Sequence, residues 1–272
     1  RQAAPPRRLI RMTPRILCER EAEGGIATVT LFNPDKLNAI NAAMWRELKA
    51  TMEALDADDS LRCVVMRGEG AAFAAGGDIE EFLIERDTFE RAQVYHGEWV
   101  AGALASIVAC RHPVVALIHG PCIGGGLEIA AQCDLRIAGE SAKFGAPIKK
   151  LGFAMAHSEL AGLLALAGPA VALEILLEGR ILSAQEAYAK GLVTRVVADD
   201  RVADEAYATA RRIAEGAPLV ARSHKRLVRR LADPRPLDEA EVRDNFSYLD
   251  TDDYREGLAA FLAKRVPQFT GR

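Results

Sequence analysis

Residues 114–118, Val-Val-Ala-Leu-Ile, form an unbroken apolar run that leads through His119 into Gly120-Pro121-Cys122-Ile123-Gly124-Gly125-Gly126 and then into the helix-forming stretch 127–132. A strand without polar alternation has to be covered on both faces, as in a parallel sheet flanked by helices. Parallel strands need long crossover connections, so this segment predicts an α/β chain rather than a sandwich or a bundle. Other stretches agree. Residues 16–21 and 26–32 flank Glu23-Gly24-Gly25 as a hairpin, and Asn41 caps a helix with Met44, Leu48, Met52 and Leu55 at helical spacing. Residues 63–66, 135–138 and 193–197 are further β-prone runs, and 91–109 read mostly as helix. Ser183-Ala184-Gln185-Glu186 has the form of a capping box opening a helix that Gly191 closes. From Asp199 onward the pattern is helical, interrupted at Pro218, Pro234 and Pro236, so strands give way to a terminal helical layer.

A chain of 272 residues accommodates one large domain, or a domain with an appendage. With 35 Lys and Arg against 38 Asp and Glu, no global positive charge attracts nucleic acid or an anionic membrane. The local basic stretch at 222–230 adds little to a nucleic-acid reading. Five scattered cysteines, Cys18, Cys63, Cys110, Cys122 and Cys133, show no Cys-x-x-Cys spacing, and no histidine has zinc-ligand spacing. The expectation is a reducing, cytoplasmic setting and no metal. Apolar runs such as 114–118 fall far short of the roughly 20 residues of a spanning helix, so no membrane segment is expected. The first eighteen residues hold Arg1, Arg7, Arg8, Arg11 and Arg15 with no acid, and residues 1–14 are read as a disordered basic tail rather than a transit peptide.

The chemistry starts at two glycine-rich loops, 68–77 and 120–126, which can present backbone N–H groups where a Cβ would obstruct them. Neither is a Walker A loop, and the second lacks dinucleotide-binding glycine spacing. No Gly-x-Ser-x-Gly elbow is present for a serine hydrolase. A loop preceding one helix and the N-terminus of another can together supply the two convergent donors of an oxyanion hole.

Ala72-Phe73-Ala74-Ala75-Gly76-Gly77-Asp78-Ile79, then 119–128, then Cys133-Asp134-Leu135-Arg136-Ile137-Ala138 closely resemble the signature segments of the crotonase (enoyl-CoA hydratase/isomerase) superfamily. Asn33-Pro34-Asp35-Lys36-Leu37-Asn38-Ala39, residues 182–187 and 191–193, and the stretches 251–257 and 261–265 extend the resemblance, in order, from about residue 15 to 270. It implies a spiral of ββα units over 15–200 and a C-terminal helical trimerisation region over 201–272, in a trimer or a hexamer of two trimers. It implies that the N–H groups of Ala75 and Gly125 bind a thioester oxygen. Backbone around Lys36, Leu37, Ala39, Asp78 and Ile79 would hold coenzyme A, with Phe261 and Lys264 contributing from a neighbouring subunit. Coenzyme A enters only as part of the substrate, and no separate cofactor is implied. Asp78 is equally a candidate helix N-cap, and Lys264 a surface charge.

Glu128, at the start of the helix after the triple glycine, matches the first catalytic glutamate of family hydratases. An apolar setting there would raise its pKa and suit it to proton transfer near neutral pH. The sequence departs from the family where a second glutamate follows a proline: here Pro147 is followed by Ile148, a lining residue without acid–base chemistry. The stretch beyond it reads Phe153-Ala154-Met155-Ala156-His157-Ser158-Glu159-Leu160, so a reshaped acyl pocket is expected. His157 and Glu159 have suitable chemistry for the missing role, but the reading adopted is structural, with a carboxylate opening a helix. Lys149 and Lys150 read as a solvated edge. The resulting expectation is an acyl-CoA enzyme that stabilises an enolate, most simply a hydratase/dehydratase. The alternatives are isomerisation, C–C lysis or decarboxylation, thioester hydrolysis, and acyl-CoA binding without turnover.

Overall fold

The computed structural model describes residues 12–272. Most of the basic tail assigned to residues 1–14 lies outside that range. The chain opens with a hairpin, β1 (Arg15–Arg20) and β2 (Ile26–Phe32), paired antiparallel around the Gly24-Gly25 turn. It continues through α1 (Ala42–Asp56), β3 (Cys63–Gly68), α2 (Ile79–Glu85), α3 (Phe89–Val94) and α4 (Ala101–Ala109). A π-helical turn, Tyr95–Val100, joins the last two. Next come β4 (Val114–Ile118), β5 (Pro121–Ile123), α5 (Gly125–Gln132), β6 (Leu135–Gly139), β7 (Lys143–Gly145) and α6 (His157–Leu173). The remaining elements are β8 (Leu182–Ser183), α7 (Ala184–Ala189), β9 (Arg195–Val197), α8 (Val202–Ala214), α9 (Pro218–Leu231), α10 (Glu239–Asp244) and α11 (Asp252–Ala263).

β2, β3, β4, β6 and β9 run parallel in one sheet, with β1 antiparallel at its edge, and β5, β7 and β8 form a second, smaller sheet. Twice, in β4-β5-α5 and β6-β7-α6, a strand in the large sheet is followed by a strand in the small one and a helix, the ββα turn of the expected spiral. Val114 to Ile118 is buried along its whole length, as an unbroken apolar strand requires. Asn41 caps α1 by accepting the Met44 N–H at 2.8 Å, and the Ser183–Glu186 capping box opens α7. One face of the large sheet packs on α1, α4 and α5 around Trp45, Leu48, Met52 and Phe144. On the other face Val202, Ala206 and Ala210 of α8 cover Cys63, Val65, Val115 and Ile137, so the first helix of the 201–272 segment closes the core.

The basic residues of α9 are engaged with acids. Asp134 accepts from Lys225 at 2.9 Å and Arg229 at 2.7 Å, and also from the Val114 N–H at 2.7 Å, which anchors α9 to the start of the central strand. Lys149 and Lys150 are exposed, as expected. One expectation needs correction. The helical segment His157–Glu178 is long and apolar enough by length and composition to cross a membrane, and the sequence reading overlooked it. Gly168 (φ 74°, ψ 172°) and Pro169 kink the segment, and it packs on α5 through buried residues including Glu159, Gly162 and Leu163. The Gly-Pro punctuation and the acids at 159, 174 and 178 mask its apolar character in a linear scan.

Candidate active site

The two glycine loops meet at the N-terminus of α5. Gly76 (φ +112°) and Gly124 (φ +49°) adopt backbone conformations that side chains disfavour. A Cβ built on Gly124 would lie 3.6 Å from the Gly76 Cα, and one built on Gly125 3.5 Å from the Gly76 carbonyl carbon, so the loops are in van der Waals contact. Residues 33–40 run alongside the first loop. Asn38, in the left-handed region at φ 58°, is held by side-chain hydrogen bonds from its Nδ2 to the carbonyls of Glu69 and Ala72, each 2.8 Å. Its neighbours Leu37 and Ile40 then pair with 75–78: Ala75 N–H donates to Leu37 (2.9 Å), Ile40 N–H to Gly76 (2.8 Å) and Asp78 N–H to Ile40 (2.9 Å).

This pairing corrects one expectation. The Ala75 N–H is committed to the Leu37 carbonyl, so within the stretch 73–78 the amides without a partner among the described residues are those of Gly76 and Gly77. All described peptide bonds are trans, which places each N–H opposite the carbonyl of the same peptide. With the Gly76 carbonyl facing Ile40, the Gly77 N–H faces away from that pairing. The Gly124 carbonyl accepts the Glu128 N–H at 2.9 Å, so the Gly125 N–H projects off the start of α5, where the first helical amides have no intrahelical acceptor.

Both loops line a cavity of about 140 Å³, close to the size of engineered cavities that accept a benzene-sized group. Its walls include Trp45, Ile79, Phe82, Tyr95, Ile148 and Phe153, and its polar groups are Glu128, Glu159, Arg86 and His96. Ile148 is thus one of the residues lining the cavity. A larger cleft of about 630 Å³ lies between α9 and residues 244–251, but the glycine loops do not reach it, and its charged residues Arg226 and Arg229 are paired with Asp244 and Asp134.

Glu128 is buried on the first turn of α5. Burial pushes its carboxyl well above the usual carboxylate range, the nearby Glu159 charge pushes the same way, and Arg86 opposes both. Because the folded-state pKa lies above the ordinary 4.5, the stability this group contributes is complete below that value and is lost as pH rises through the folded-state pKa. Glu128→Gln removes the loss. Thermal unfolding at several pH values is expected to give the variant a higher Tm than wild type, by a margin that widens upward from about pH 5. Equal Tm values across the range would contradict the burial of an acid here.

Glu159 stands where expected and also faces the cavity. It does open α6, accepting the Ala156 N–H at 3.1 Å, but its side chain is only 6% exposed and lines the same cavity as Glu128. Its Oε1 lies 2.5 Å from Nδ1 of His96, whose Nε2 lies 2.9 Å from an Arg86 terminal nitrogen. A guanidinium only donates, so Nε2 accepts and Nδ1–H donates to Glu159. Arg86 is stacked over Phe82 at 3.4 Å and against Phe153 at 4.1 Å from the ring centroids. His157, by contrast, is exposed and outside the cavity lining.

The remaining expected site residues divide into two groups. Lys36 binds Asp78 (2.7 Å) and Glu80 (2.8 Å), Asp78 also caps α2 through the Glu80 N–H, Leu37 and Ile79 are about half exposed, with Ile79 lining the cavity, and Ala39 is buried. Phe261, 81% exposed, and Lys264, the left-handed residue that ends α11, lie outside the cavity lining. Sequence reasoning missed Arg86 and His96. His96 sits in the π-helical turn, a distortion common at functional sites, but nothing in the local sequence announces it.

Residues 21–272 match the family model described as enoyl-CoA hydratase/isomerase. A probable enoyl-CoA hydratase of Rhizobium meliloti is 37% identical over 257 residues, covering 93% of this chain and 97% of that protein. A probable enoyl-CoA hydratase of Mycobacterium tuberculosis is 39% identical over 262 residues, with 94% and 98% coverage. The crystal structure of an enoyl-CoA hydratase/carnithine racemase from Magnetospirillum magneticum is 53% identical, superposes with a TM-score of 0.92 and covers 94% of this chain and 96% of that one. With the fold, the paired glycine loops and the whole length in agreement, the chain belongs to the enoyl-CoA hydratase/isomerase (crotonase) family.

Proposed function

We propose that the protein adds water reversibly across the double bond of a short 2-enoyl-CoA thioester. The observation that carries this reading is a buried carboxyl, Glu128, one turn from a free helix-terminal amide and facing a small apolar cavity. The Gly77 and Gly125 amides hold the thioester oxygen as negative charge develops on it, a role in which a single donor is worth about 2.7–4 kcal/mol. Glu128, whose neutral form burial favours, supplies the proton to Cα. Segments 36–39 and 78–79 bind the coenzyme A portion at the cavity mouth, and the reaction needs no cofactor beyond substrate and water. The exposed Phe261 and Leu262 and the apolar outer face of α6, with Leu164 and Leu173 exposed, support assembly into a trimer or hexamer in which α11 reaches a neighbour's substrate.

The test is incubation with crotonyl-CoA, following loss of the conjugated enoyl-thioester absorbance and identifying the product. Formation of 3-hydroxybutyryl-CoA is expected. Binding of crotonyl-CoA with no consumption would overturn the reading.

A further inference from the structure

We propose that Glu159, oriented by His96 and Arg86, is the second proton-transfer group of the site and stands in for the carboxyl that Ile148 cannot supply. The inference rests on the hydration reading. Addition of water needs a group to take the water proton and another to manage the proton at Cα. Glu128 serves the second need, and Ile148, at the start of the turn Ile148–Leu151, offers only methyl and methylene groups to the cavity. Glu159 enters the same space from a different element, the first turn of α6.

Its geometry suits a water-holding base. A carboxylate offers about four lone-pair positions, and the Ala156 N–H and His96 Nδ1–H occupy one on each oxygen, leaving capacity on both for a water. The chain Arg86 → His96 → Glu159 fixes the ring tautomer and the carboxylate plane together, as second-rank hydrogen bonds do in acid–base sites generally. Packing of Arg86 between Phe82 and Phe153 immobilises the far end of the chain.

In the forward direction a water O–H bond breaks and its proton passes to Glu159 while the oxygen bonds to Cβ. The π pair moves onto the thioester oxygen, and the enolate then collapses by taking the Glu128 proton at Cα. The proton on Glu159 returns to Glu128 through water during product exchange, restoring the pair. Glu159 is thus a catalytic residue, and His96 a positioning residue.

Glu159→Gln keeps an acceptor for the Ala156 N–H but cannot take a proton. With crotonyl-CoA its kcat is expected to fall by about 10²–10⁴-fold. Its affinity for saturated butyryl-CoA, measured by calorimetry, and its exchange of the Cα protons of butyryl-CoA in D₂O should persist, because exchange runs through the ionised form of Glu128, which takes a Cα proton, trades it with solvent and returns a deuteron, and it involves no water addition. His96→Leu should lower kcat with KM unchanged, and His96→Asn, whose amide can donate from the position of Nδ1, should recover part of the loss. A Glu159→Gln enzyme that hydrates crotonyl-CoA within threefold of wild type would overturn the proposal alone. Wild-type protein that binds butyryl-CoA but hydrates no enoyl-CoA would overturn the hydration reading and the proposal with it.

Discussion

Glu128→Gln is expected to slow hydration of crotonyl-CoA by about 10²–10⁴-fold while leaving butyryl-CoA affinity nearly unchanged. The substitution is close to isosteric and replaces an acid whose neutral form burial favours with a neutral amide, so the shape of the cavity is kept. What disappears is the ability to give up and regain a proton beside the donors of Gly77 and Gly125. Loss of kcat without loss of ground-state binding is the signature of a group acting in the transition state. A variant that retained wild-type kcat would remove Glu128 from the chemistry, and weakened butyryl-CoA binding in step with kcat would mark it as a binding residue instead. The same variant should be the more stable protein above about pH 5, a trade of stability for activity common at catalytic sites.

Gly126→Ala is expected to cost both activity and stability. A Cβ at 126 would lie 2.6 Å from the Ala74 carbonyl oxygen and 2.9 Å from the Ala74 Cβ. The first of these is a backbone atom, and it already accepts the Ile123 N–H at 2.9 Å. Relief therefore requires the two glycine loops to move apart, taking the Gly77 amide away from Gly125. Disrupting one donor of such a pair lowers kcat by about 10²–10³-fold, and overpacking of this kind destabilises by about 1–3 kcal/mol. Crotonyl-CoA kinetics with thermal unfolding of the same sample would check both effects. Wild-type kcat in a folded Gly126→Ala protein would show that loop spacing does not set the donors.

What the sequence made legible was local or carried by order along the chain. The apolar strand 114–118, its glycine loop and the helix bearing Glu128 are contiguous, so their periodicity and punctuation predict the unit directly. The caps at Asn41 and Ser183 need only neighbouring residues. What the local pattern left out at the site depends on distant partners. Ala75 loses its free amide because of Leu37, 38 positions earlier in sequence, and the amides of Gly76 and Gly77 are the ones left free only through that pairing. Glu159 gains its side-chain partner in the cavity because His96, 63 residues away, faces it from a π-helical turn. Arg86 is invisible as a site residue until Phe82 and Phe153 close around it. The kinked apolar helix 157–178 escaped notice because Gly168-Pro169 divides it into two unremarkable runs.

The central claim is that this fold forms a thioester enolate between the glycine-loop amides and reprotonates it from Glu128. Its most direct test is the rate at which wild-type and Glu128→Gln protein exchange the Cα protons of butyryl-CoA for deuterium in D₂O, followed by NMR. The account predicts enzyme-dependent exchange at Cα that is lost in Glu128→Gln at unchanged binding; binding without exchange in the wild type, or exchange undiminished in the variant, would contradict it.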